Sequence, residues 1–251
     1  MGLAAKSYSS LLCMLVLLTT ICYSQSNYVS SRATFYQSPD NLGTPTGACG
    51  YGEFGRKVNG ANVAGVSMLY RNGSGCGACY QVRCKIPKIC SDDGVKVVIT
   101  DYEEGDRTDF ILSTRAYAKL AVPNIASKLF PFGVVDVEYQ RIPCRYPGYN
   151  LKIKVHEYSK FPGYLAVLLL YQAGIYDITA VEVWQEDDQE WKSMRRAFGT
   201  VWDLAGPPSG PLSFRAQVSG SGGRKWVQMT DVVPSEWKAG VVYDTPIDQL
   251  S

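Results

Sequence analysis

Alternation of apolar and polar residues dominates the second half of the chain. Leu151, Ile153 and Val155 alternate with polar side chains in 150–156, and the segment 164–171 is apolar throughout. A period of two is typical of β-strands with one buried face. The other predicted strands of this half are Asp177–Gln185, Leu212–Val218 and Lys225–Met229. Glycine- and proline-rich turns separate these segments, so the pattern predicts a β-sandwich without helices.

The first half has shorter strands and more loop. Its predicted strands are Val29–Tyr36, Tyr80–Cys84, Val95–Asp101 and Val134–Ile142. One short helix is expected at Ser113–Ala121, with Ser113 as its N-cap. The glycine-rich segment 43–60 is expected to be a loop, either with tight turns only or with backbone that approaches a ligand. Together these features predict a small β-barrel.

A turn-rich break separates the two halves. The letters CRYPGY at 144–149 bring proline and glycine together, and no cysteine follows Cys144. Such a change of composition at a break is typical of a domain boundary. We therefore expect an all-β protein of two domains, a barrel at 27–145 and a sandwich at 149–251.

The N-terminal segment 1–24 predicts a secretory signal peptide. Lys6 supplies its positive charge, 11–21 its apolar region, and the letters CYS at 22–24 a cleavage site with small residues. The apolar run is too short for a comfortable membrane span. The chain is therefore expected to be secreted and extracellular, with no membrane association after the signal is removed.

Secretion makes disulfides the expected state of the cysteines that remain. Removal of the signal leaves six: Cys49, Cys76, Cys79, Cys84, Cys90 and Cys144. An even number in an oxidising compartment indicates three disulfides, with fifteen pairings open. The alternative is a zinc site at Cys76-x-x-Cys79, which secretion and a single histidine, His156, disfavour. No metal or organic cofactor is expected.

Charge and surface motifs narrow the range of partners. The formal net charge of +2 falls by one when Lys6 is removed, which indicates no polyanion-binding surface. Nucleic-acid-binding signatures and heptad patterns are both missing from the sequence, so we expect a monomer that binds no nucleic acid. Asn72-Gly-Ser74 is an N-glycosylation sequon in a polar turn, and Asn72 is expected to be glycosylated.

Asp101 is the first candidate for chemistry. It ends a predicted strand beside Thr100 and Tyr102, where burial and hydrogen bonds can tune a carboxyl group. Further acids follow at 103, 104, 106 and 109, and glycoside hydrolysis needs two carboxylates at a defined separation. A solvated acidic loop is the simpler interpretation of this run.

Aromatic residues are the second candidate. All five tryptophans lie in the second half, namely Trp184, Trp191, Trp202, Trp226 and Trp237. Exposed aromatic rings can stack on sugars, but a sandwich core also needs aromatic residues, so we expect two or three of the tryptophans to be exposed. His156 alternates with apolar residues and is expected on the solvent face, and a single histidine makes a Ser/His/Asp triad untenable.

Several motifs in order along the chain resemble the plant expansins, and most closely their expansin-like B branch. They are TFY at 34–36, GACGYG at 47–52, GCGACYQVRC at 75–84, VITD at 98–101, RIPC at 141–144, DITAVE at 177–182 and VPSEW at 233–237. The resemblance implies a six-stranded double-psi β-barrel, similar to glycoside hydrolase family 45, followed by an Ig-like carbohydrate-binding sandwich. The disulfides that it implies are Cys49–Cys76, Cys79–Cys144 and Cys84–Cys90.

The resemblance also implies a function and a set of site residues. Expansins loosen plant cell walls without hydrolysis, by disturbing contacts between cellulose and matrix glycans. The polysaccharide groove of the family corresponds to Thr34, Tyr36 and Asp101. Its aromatic platform corresponds to Tyr164 and Phe198, with Gly163 at a further platform position.

One motif departs from the family. Typical expansins have His-Phe-Asp before Leu-Ser, whereas this chain has DFI at 109–111. Ile111 replaces the essential aspartate and can neither donate a proton nor accept a hydrogen bond. Asp109 replaces the histidine, and two residues along a strand is a displacement of roughly 7 Å. The second acid of a hydrolytic pair is therefore expected to be missing.

The leading hypothesis is a secreted plant cell-wall protein, without catalytic residues, that binds cellulose or hemicellulose and loosens their contacts. A second hypothesis is a glycan hydrolase or lytic transglycosylase that uses Asp101 with Asp106 or Asp109. A third is a structural wall protein with no specific glycan site.

Overall fold

The computed structural model describes residues 28–104 and 109–249. The predicted signal peptide and Asp106 lie outside these residues. Within them, no helix is long and apolar enough to cross a membrane.

The first domain is a closed barrel of six strands in the order β1-β5-β2-β4-β3-β6. Strands β1 and β5 are parallel, as are β2 and β4, and the other pairs are antiparallel. The strands are β1 (Val29–Tyr36), β2 (Val63–Val66), β3 (Cys79–Cys84), β4 (Val95–Tyr102), β5 (Phe110–Ser113) and β6 (Val135–Ile142). The barrel predicted from the first half is therefore confirmed.

Period-two alternation explains how the barrel fills its interior. Ala33, Val97, Phe110, Leu112 and Val137 are fully buried in its core. Their strand neighbours point to the opposite, outer side of the barrel. The residues on that outer side are therefore the ones available to build a surface groove.

Two α-helices accompany the barrel, and one of them was not predicted. Helix α1 (Gly52–Val58) lies inside the segment 43–60 that was expected to be a loop. It forms despite two glycines because Gly55 packs against Tyr51, and because Arg56 pairs both with Glu53 and with Asp40 from outside the helix. Helix α2 (Thr114–Ala118) is shorter than expected, and the side chain of Ser113 caps it by accepting the Ala116 N–H. Short 3₁₀ segments occur at Met68–Gly73, Ala126–Lys128 and Phe130–Phe132.

Three disulfides staple the barrel. They are Cys49–Cys76, Cys79–Cys144 and Cys84–Cys90, the pairing that the family resemblance implies. Because Cys76 and Cys79 are bonded to different partners, neither retains a thiol for the zinc site that was considered as an alternative.

The second domain is a sandwich of two antiparallel sheets. One has the order β10-β9-β13-β14 and the other β11-β12-β8-β7-β15. The strands are β7 (Lys152–Val155), β8 (Tyr164–Leu170), β9 (Asp177–Gln185), β10 (Glu190–Ser193), β11 (Arg195–Phe198), β12 (Val201–Ala205), β13 (Leu212–Gly220), β14 (Gly223–Val233) and β15 (Val242–Asp244). Side chains from both sheets, including Ile153, Val167 and Phe214, form its core.

The apolar run at 164–171 is explained by burial on both faces of β8. Leu165, Val167 and Leu169 face the sandwich core, while Leu168 and Leu170 pack with Val201 into the core of the barrel domain. The two domains therefore share a continuous apolar interface.

Polar contacts flank this interface. Asp177 of β9 receives Arg71 at 2.8 Å and Arg141 at 2.8 Å, both from the barrel domain. The side-chain amide of Gln172 donates to the hydroxyl of Tyr51 at 3.0 Å. These contacts tie each domain to the other on more than one side of the apolar patch.

The expectation for His156 is wrong. Its side chain is buried, not on the solvent face. The strand alternation ends at Val155, and the ring turns in beside Tyr158 and Phe198. Burial lowers its pKa from the ordinary value of 6.5, so the ring is neutral and its Nδ1 accepts the Tyr158 N–H at 3.2 Å.

Candidate functional site

A row of four residues crosses the outer surface of the barrel. Thr34 pairs with Ile111, Ile111 with Gly65, and Gly65 with Asp101, on strands β1, β5, β2 and β4. Thr34 donates its hydroxyl to the Gly133 carbonyl at 3.1 Å. Thr34, Ile111 and Asp101 were all named in the sequence analysis. We call these four residues, together with Tyr36 and Glu103, the groove.

Asp101 lies at the buried end of this row. Its Oδ1 accepts the backbone N–H of Ala48 at 2.6 Å and that of Tyr102 at 2.8 Å. Burial raises the pKa of Asp101 above its ordinary value, and the Ala48 hydrogen bond opposes that shift. The carboxyl group therefore holds its proton more readily than an exposed aspartate does.

Gly47 is required where the loop crosses Asp101. A Cβ at Gly47 would collide with the carbonyl oxygen of Thr100 and lie 3.2 Å from Asp101 Cγ. Only glycine lets the loop come close enough for Ala48 to donate to the carboxylate. The backbone of the glycine-rich segment thus lies directly against a groove residue. This agrees with the second of the two alternatives given for 43–60, a backbone that comes close to a ligand site.

Glu103 is the acid that stands beside Asp101. Its side chain lies over Gly65, where a Cβ would collide with Glu103 Cγ and sit 3.5 Å from Asp101 Cβ. Burial, and then the charge of Asp101, raise the pKa of Glu103. The sequence analysis named Asp106 and Asp109 as partners of Asp101 and did not name Glu103, the first residue after β4.

Asp109 does not join this pair. It lies two residues before Ile111, and its carboxylate accepts the hydroxyl of Ser31 at 2.8 Å. The carboxylate is thus engaged at the far end of the row from Asp101. Ile111 itself is partly exposed on the groove face and forms an apolar floor with Gly65.

Tyr36 belongs to the same face as Thr34, two residues further along β1. Its hydroxyl lies close to Gly43, whose Cβ would sit 2.7 Å from it. Burial, and then the charge of Asp101, raise the pKa of Tyr36 to about 12. The phenol therefore stays protonated, and its oxygen is buried without a hydrogen-bond partner among the described residues.

The outer face of the five-stranded sheet carries the second set of predicted residues. Phe198 pairs with Val201 and Tyr164 with Ala205, so they lie four residues apart along β12, roughly 13 Å. Phe198 is 41% exposed. Tyr164 is only partly exposed, and its hydroxyl donates to Asp203 at 2.7 Å, a carboxylate that also receives Arg195.

The exposed aromatic residues of this domain that were not predicted include Tyr158 and Phe161. Tyr158 is 69% exposed and contacts the ring of His156, which contacts Phe198. Phe161 is also exposed and packs edge-on against the buried Trp237. Neither lies in a strand, so no alternation marked them. We call Phe198, Tyr158 and Tyr164 the platform.

The groove and the platform are connected through the loop 47–50. A Cβ at Gly50 would lie 2.9 Å from Phe198 Cε2 and 2.6 Å from Val201 Cγ2. The N–H of Thr200 donates to the Cys49 carbonyl at 3.1 Å. One side of this loop therefore holds Asp101 and the other contacts Phe198, so the loop connects the groove of one domain with the platform of the other.

Other predicted features lie outside this surface. Asn72 is exposed in a left-handed turn next to Arg71, and its glycosylation stays a prediction. Gly163 has open space around it and contributes no ring to the platform. A cleft of about 600 Å³ beside Val98, Ile142 and Tyr146 does not include any groove residue.

The arrangement combines hydrogen-bonding groups with exposed rings. Asp101, Glu103 and Thr34 offer carboxyl and hydroxyl groups, and Phe198 and Tyr158 offer apolar faces. Hydroxyl-rich, flat ligands such as sugars use both kinds of contact.

Comparisons with known proteins agree with this geometry. The family model described as "Expansin C-terminal domain" matches residues 151–234, and the one described as "Lytic transglycolase" matches 62–139. Expansin-like B1 of Arabidopsis thaliana is 57% identical over 93% of this chain and 94% of its own length. The chain belongs to the expansin superfamily, in its expansin-like B branch. Expansin-like B1 of Oryza sativa subsp. japonica is 43% identical over 93% of both chains.

Solved expansin structures share the fold. The apo expansin of Clavibacter michiganensis has a TM-score of 0.64 at 21% identity, covering 88% of this chain and 98% of that one. A mutant of that expansin in complex with cellohexaose has a TM-score of 0.66 at 20% identity, with the same coverage. At this level of identity the likeness shows the two-domain expansin fold alone.

Proposed function

We propose that this expansin is a secreted plant cell-wall protein that binds an extended β-glucan along the groove and the platform, and loosens contacts between cellulose and matrix glycans without cleaving them. The observation that carries the proposal is the continuity of the two surfaces through the loop 47–50. A polymer that spans both domains can use the acids at one end and the exposed rings at the other.

Family membership supports the ligand class. Cellohexaose is the ligand of the related bacterial expansin, and the fold is common to both chains. In this chain Asp101, Glu103 and Thr34 would bind sugar hydroxyls, while Phe198 and Tyr158 would stack on the sugar rings.

Binding without hydrolysis follows from the groove chemistry. Glycoside hydrolysis needs an acid and a base or nucleophile on either side of the scissile bond. Here the position across Gly65 from Asp101 is Ile111, which can do neither. Asp101 and Glu103 instead both lie next to Gly65, at the end of β4 and directly after it.

The matched experiment compares polysaccharide binding of the wild type with that of a Phe198→Ala/Tyr158→Ala double variant. We expect about a tenfold loss of affinity for cellohexaose in calorimetry, since exposed aromatic anchors dominate such contacts. Tyr243→Phe, which keeps its ring on the distant strand β15, is the control. Undiminished binding by the double variant would contradict a role for the platform.

A second candidate function is chain cleavage, because two carboxyl groups with raised pKa values stand in the groove and the barrel matches a lytic transglycolase model. Size-exclusion chromatography of soluble xyloglucan and mixed-linkage glucan, after incubation with the protein, distinguishes cleavage from binding alone. If the glucan chains become shorter with the wild type but not with Asp101→Asn, cleavage is established and the proposal of binding without hydrolysis is refuted.

A further inference from the structure

The outer face of the four-stranded sheet carries a second aromatic surface. Trp184 on β9, Trp191 on β10 and Trp226 on β14 all point away from the sandwich core, because their strand neighbours Val183 and Val227 point inward. The platform lies on the outer face of the other sheet. The two aromatic surfaces are therefore on opposite sides of the sandwich.

Arg215 organises these rings. Its guanidinium lies 4.6 Å from the centre of the Trp191 ring and 4.5 Å from that of Trp226. Glu182 accepts Arg215 Nε at 2.6 Å and also accepts the hydroxyl of Ser193. The cation is thus neutralised in place, and it fixes the two indoles against the sheet rather than presenting a free charge.

A cleft of about 370 Å³ opens beside these rings. Trp184 and Trp191, whose rings meet at 5.3 Å, form one side of it. Gln228, Thr230 and Asp231 line the cleft as well and supply amide, hydroxyl and carboxylate groups. Apolar walls with a few polar groups are typical of small-ligand sites, and the volume lies in their range.

Packing alone does not require these tryptophans. The sandwich core on the inner side of the sheet is complete with Val183, Phe214, Ala216 and Met229, all fully buried. Trp226 is 40% exposed. Among the residues that the structure describes, the indole N–H groups of Trp191 and Trp226 donate to no protein acceptor, whereas that of Trp184 donates to Glu186 at 2.7 Å.

We propose that this face is a second glycan site, which binds a neutral polysaccharide chain by stacking on Trp191 and Trp184 and by hydrogen bonds to Gln228 and Asp231. A neutral chain is favoured because the charged groups that line the cleft, Glu186 and Asp231, are acidic, and the nearby arginine is already paired. A uronic-acid chain would meet repulsion here. The proposal does not depend on the groove or on the platform.

Indole N–H signals in NMR spectra of ¹⁵N-labelled protein test it directly. Cellohexaose, xylohexaose and mannohexaose are titrated in turn, with trigalacturonate as the anionic probe. We expect the Trp184 and Trp191 signals to shift with at least one neutral oligosaccharide, while that of the buried Trp202 stays in place. Trp191→Ala should weaken this binding about tenfold, and Phe198→Ala/Tyr158→Ala should leave it unchanged.

Gln228→Ala provides a variant with little risk to folding, since its side chain is exposed and its one side-chain hydrogen bond within the described residues is to the hydroxyl of Thr230 at 3.4 Å. This variant should reduce the shifts that neutral oligosaccharides cause in the Trp184 and Trp191 signals. Static Trp184 and Trp191 signals with all three neutral probes would overturn the proposal. Equal shifts with trigalacturonate would overturn the assignment to neutral chains. If the oligosaccharides bind at this face but not at the platform, the proposed function is refuted and the second glycan site is supported.

Discussion

Gly65 determines how the acids of the groove are arranged. It has no side chain, so Glu103 can lie over it beside Asp101. On its other side the row continues to Ile111. An acid at 111 would stand about 10 Å from Asp101, two strand spacings away, close to the roughly 6.5–9.5 Å between the carboxyl groups of inverting glycosidases. The chain thus has two adjacent acids, Asp101 and Glu103, instead of two acids that face each other across the groove.

The neighbouring pair should make stability depend on pH. The pKa values of Asp101 and Glu103 are raised above 3.8 and 4.5, so the folded state binds protons more tightly than the unfolded state. Stability should therefore fall as the pH rises through the raised pKa values. Glu103→Gln should stabilise the chain at neutral pH, and this gain should shrink towards zero on acidification.

Urea unfolding across the acidic and neutral range measures this difference. Glu104→Gln, at an exposed neighbouring position, should show no such pH-dependent gain. A constant difference between Glu103→Gln and the wild type at every pH would mean that the pKa of Glu103 is not raised in the folded state.

Restoring the opposed acid tests what Ile111 has removed. Ile111→Asp should give or increase wall extension in a creep assay on isolated plant walls, because it recreates the position of the family's essential acid. A partly buried charge should also cost about 1–3 kcal/mol of unfolding free energy. Ile111→Asn is the matched control, with the same shape but no charge. Equal wall extension by both variants would show that a polar side chain at position 111, rather than a carboxyl group, increases wall extension.

Among the elements, the loop 47–50 links the chemistry of the barrel to the sandwich. It is anchored by Cys49–Cys76, donates to Asp101 through Ala48 and touches Phe198 through Gly50. A displacement of this loop would change both ends of the glycan surface together.

Gly47→Ala should produce that displacement. The added Cβ would collide with the Thr100 carbonyl, so the Ala48 hydrogen bond to Asp101 should be lost at a cost of about 1–3 kcal/mol. Since that bond lowers the pKa of Asp101, the pKa should rise further, which carboxyl NMR titration can follow. Gly222→Ala, where nothing lies near a Cβ, is the control. An unchanged Asp101 titration would contradict the role of the loop.

The sequence predicts elements well where local pattern decides them, and less well where distant contacts do. The predicted strands are all present, most within two residues of their predicted bounds, whereas the shorter strands β2, β5, β10, β11, β12 and β15 were not predicted. Helix α1 and the burial of His156 depend on contacts with distant residues such as Asp40 and Phe198. Glu103 was visible in the sequence, but its nearness to Asp101 depends on a glycine from another strand.

For the whole molecule, the interface decides whether groove and platform act as one surface. Leu168, Leu170 and Val201 of the sandwich join the barrel core. Asp177 adds ion pairs to Arg71 and Arg141. Apolar contacts of this kind oppose relative motion of the domains, whereas purely polar interfaces permit it.

Asp177→Asn tests the polar part of that interface. We expect a loss of about 1–2 kcal/mol, because the ion pairs are only partly buried, and a lower melting temperature. Small-angle X-ray scattering should then report a larger radius of gyration if the domains separate. Asp187→Asn, at an exposed hairpin position, is the control. An unchanged melting temperature would assign the interface to its apolar contacts alone.

The distribution of the disulfides has a consequence for how the chain can be made. All three lie in the barrel domain, and the sequence has no cysteine after Cys144. In a reducing cytosol the barrel would lose stabilisation of about 2–4 kcal/mol for each bridge, while the sandwich would still form. The sandwich would then expose Leu168, Leu170 and Val201 to other chains. Recombinant production should therefore succeed only where oxidative folding completes the barrel, and fail by aggregation elsewhere.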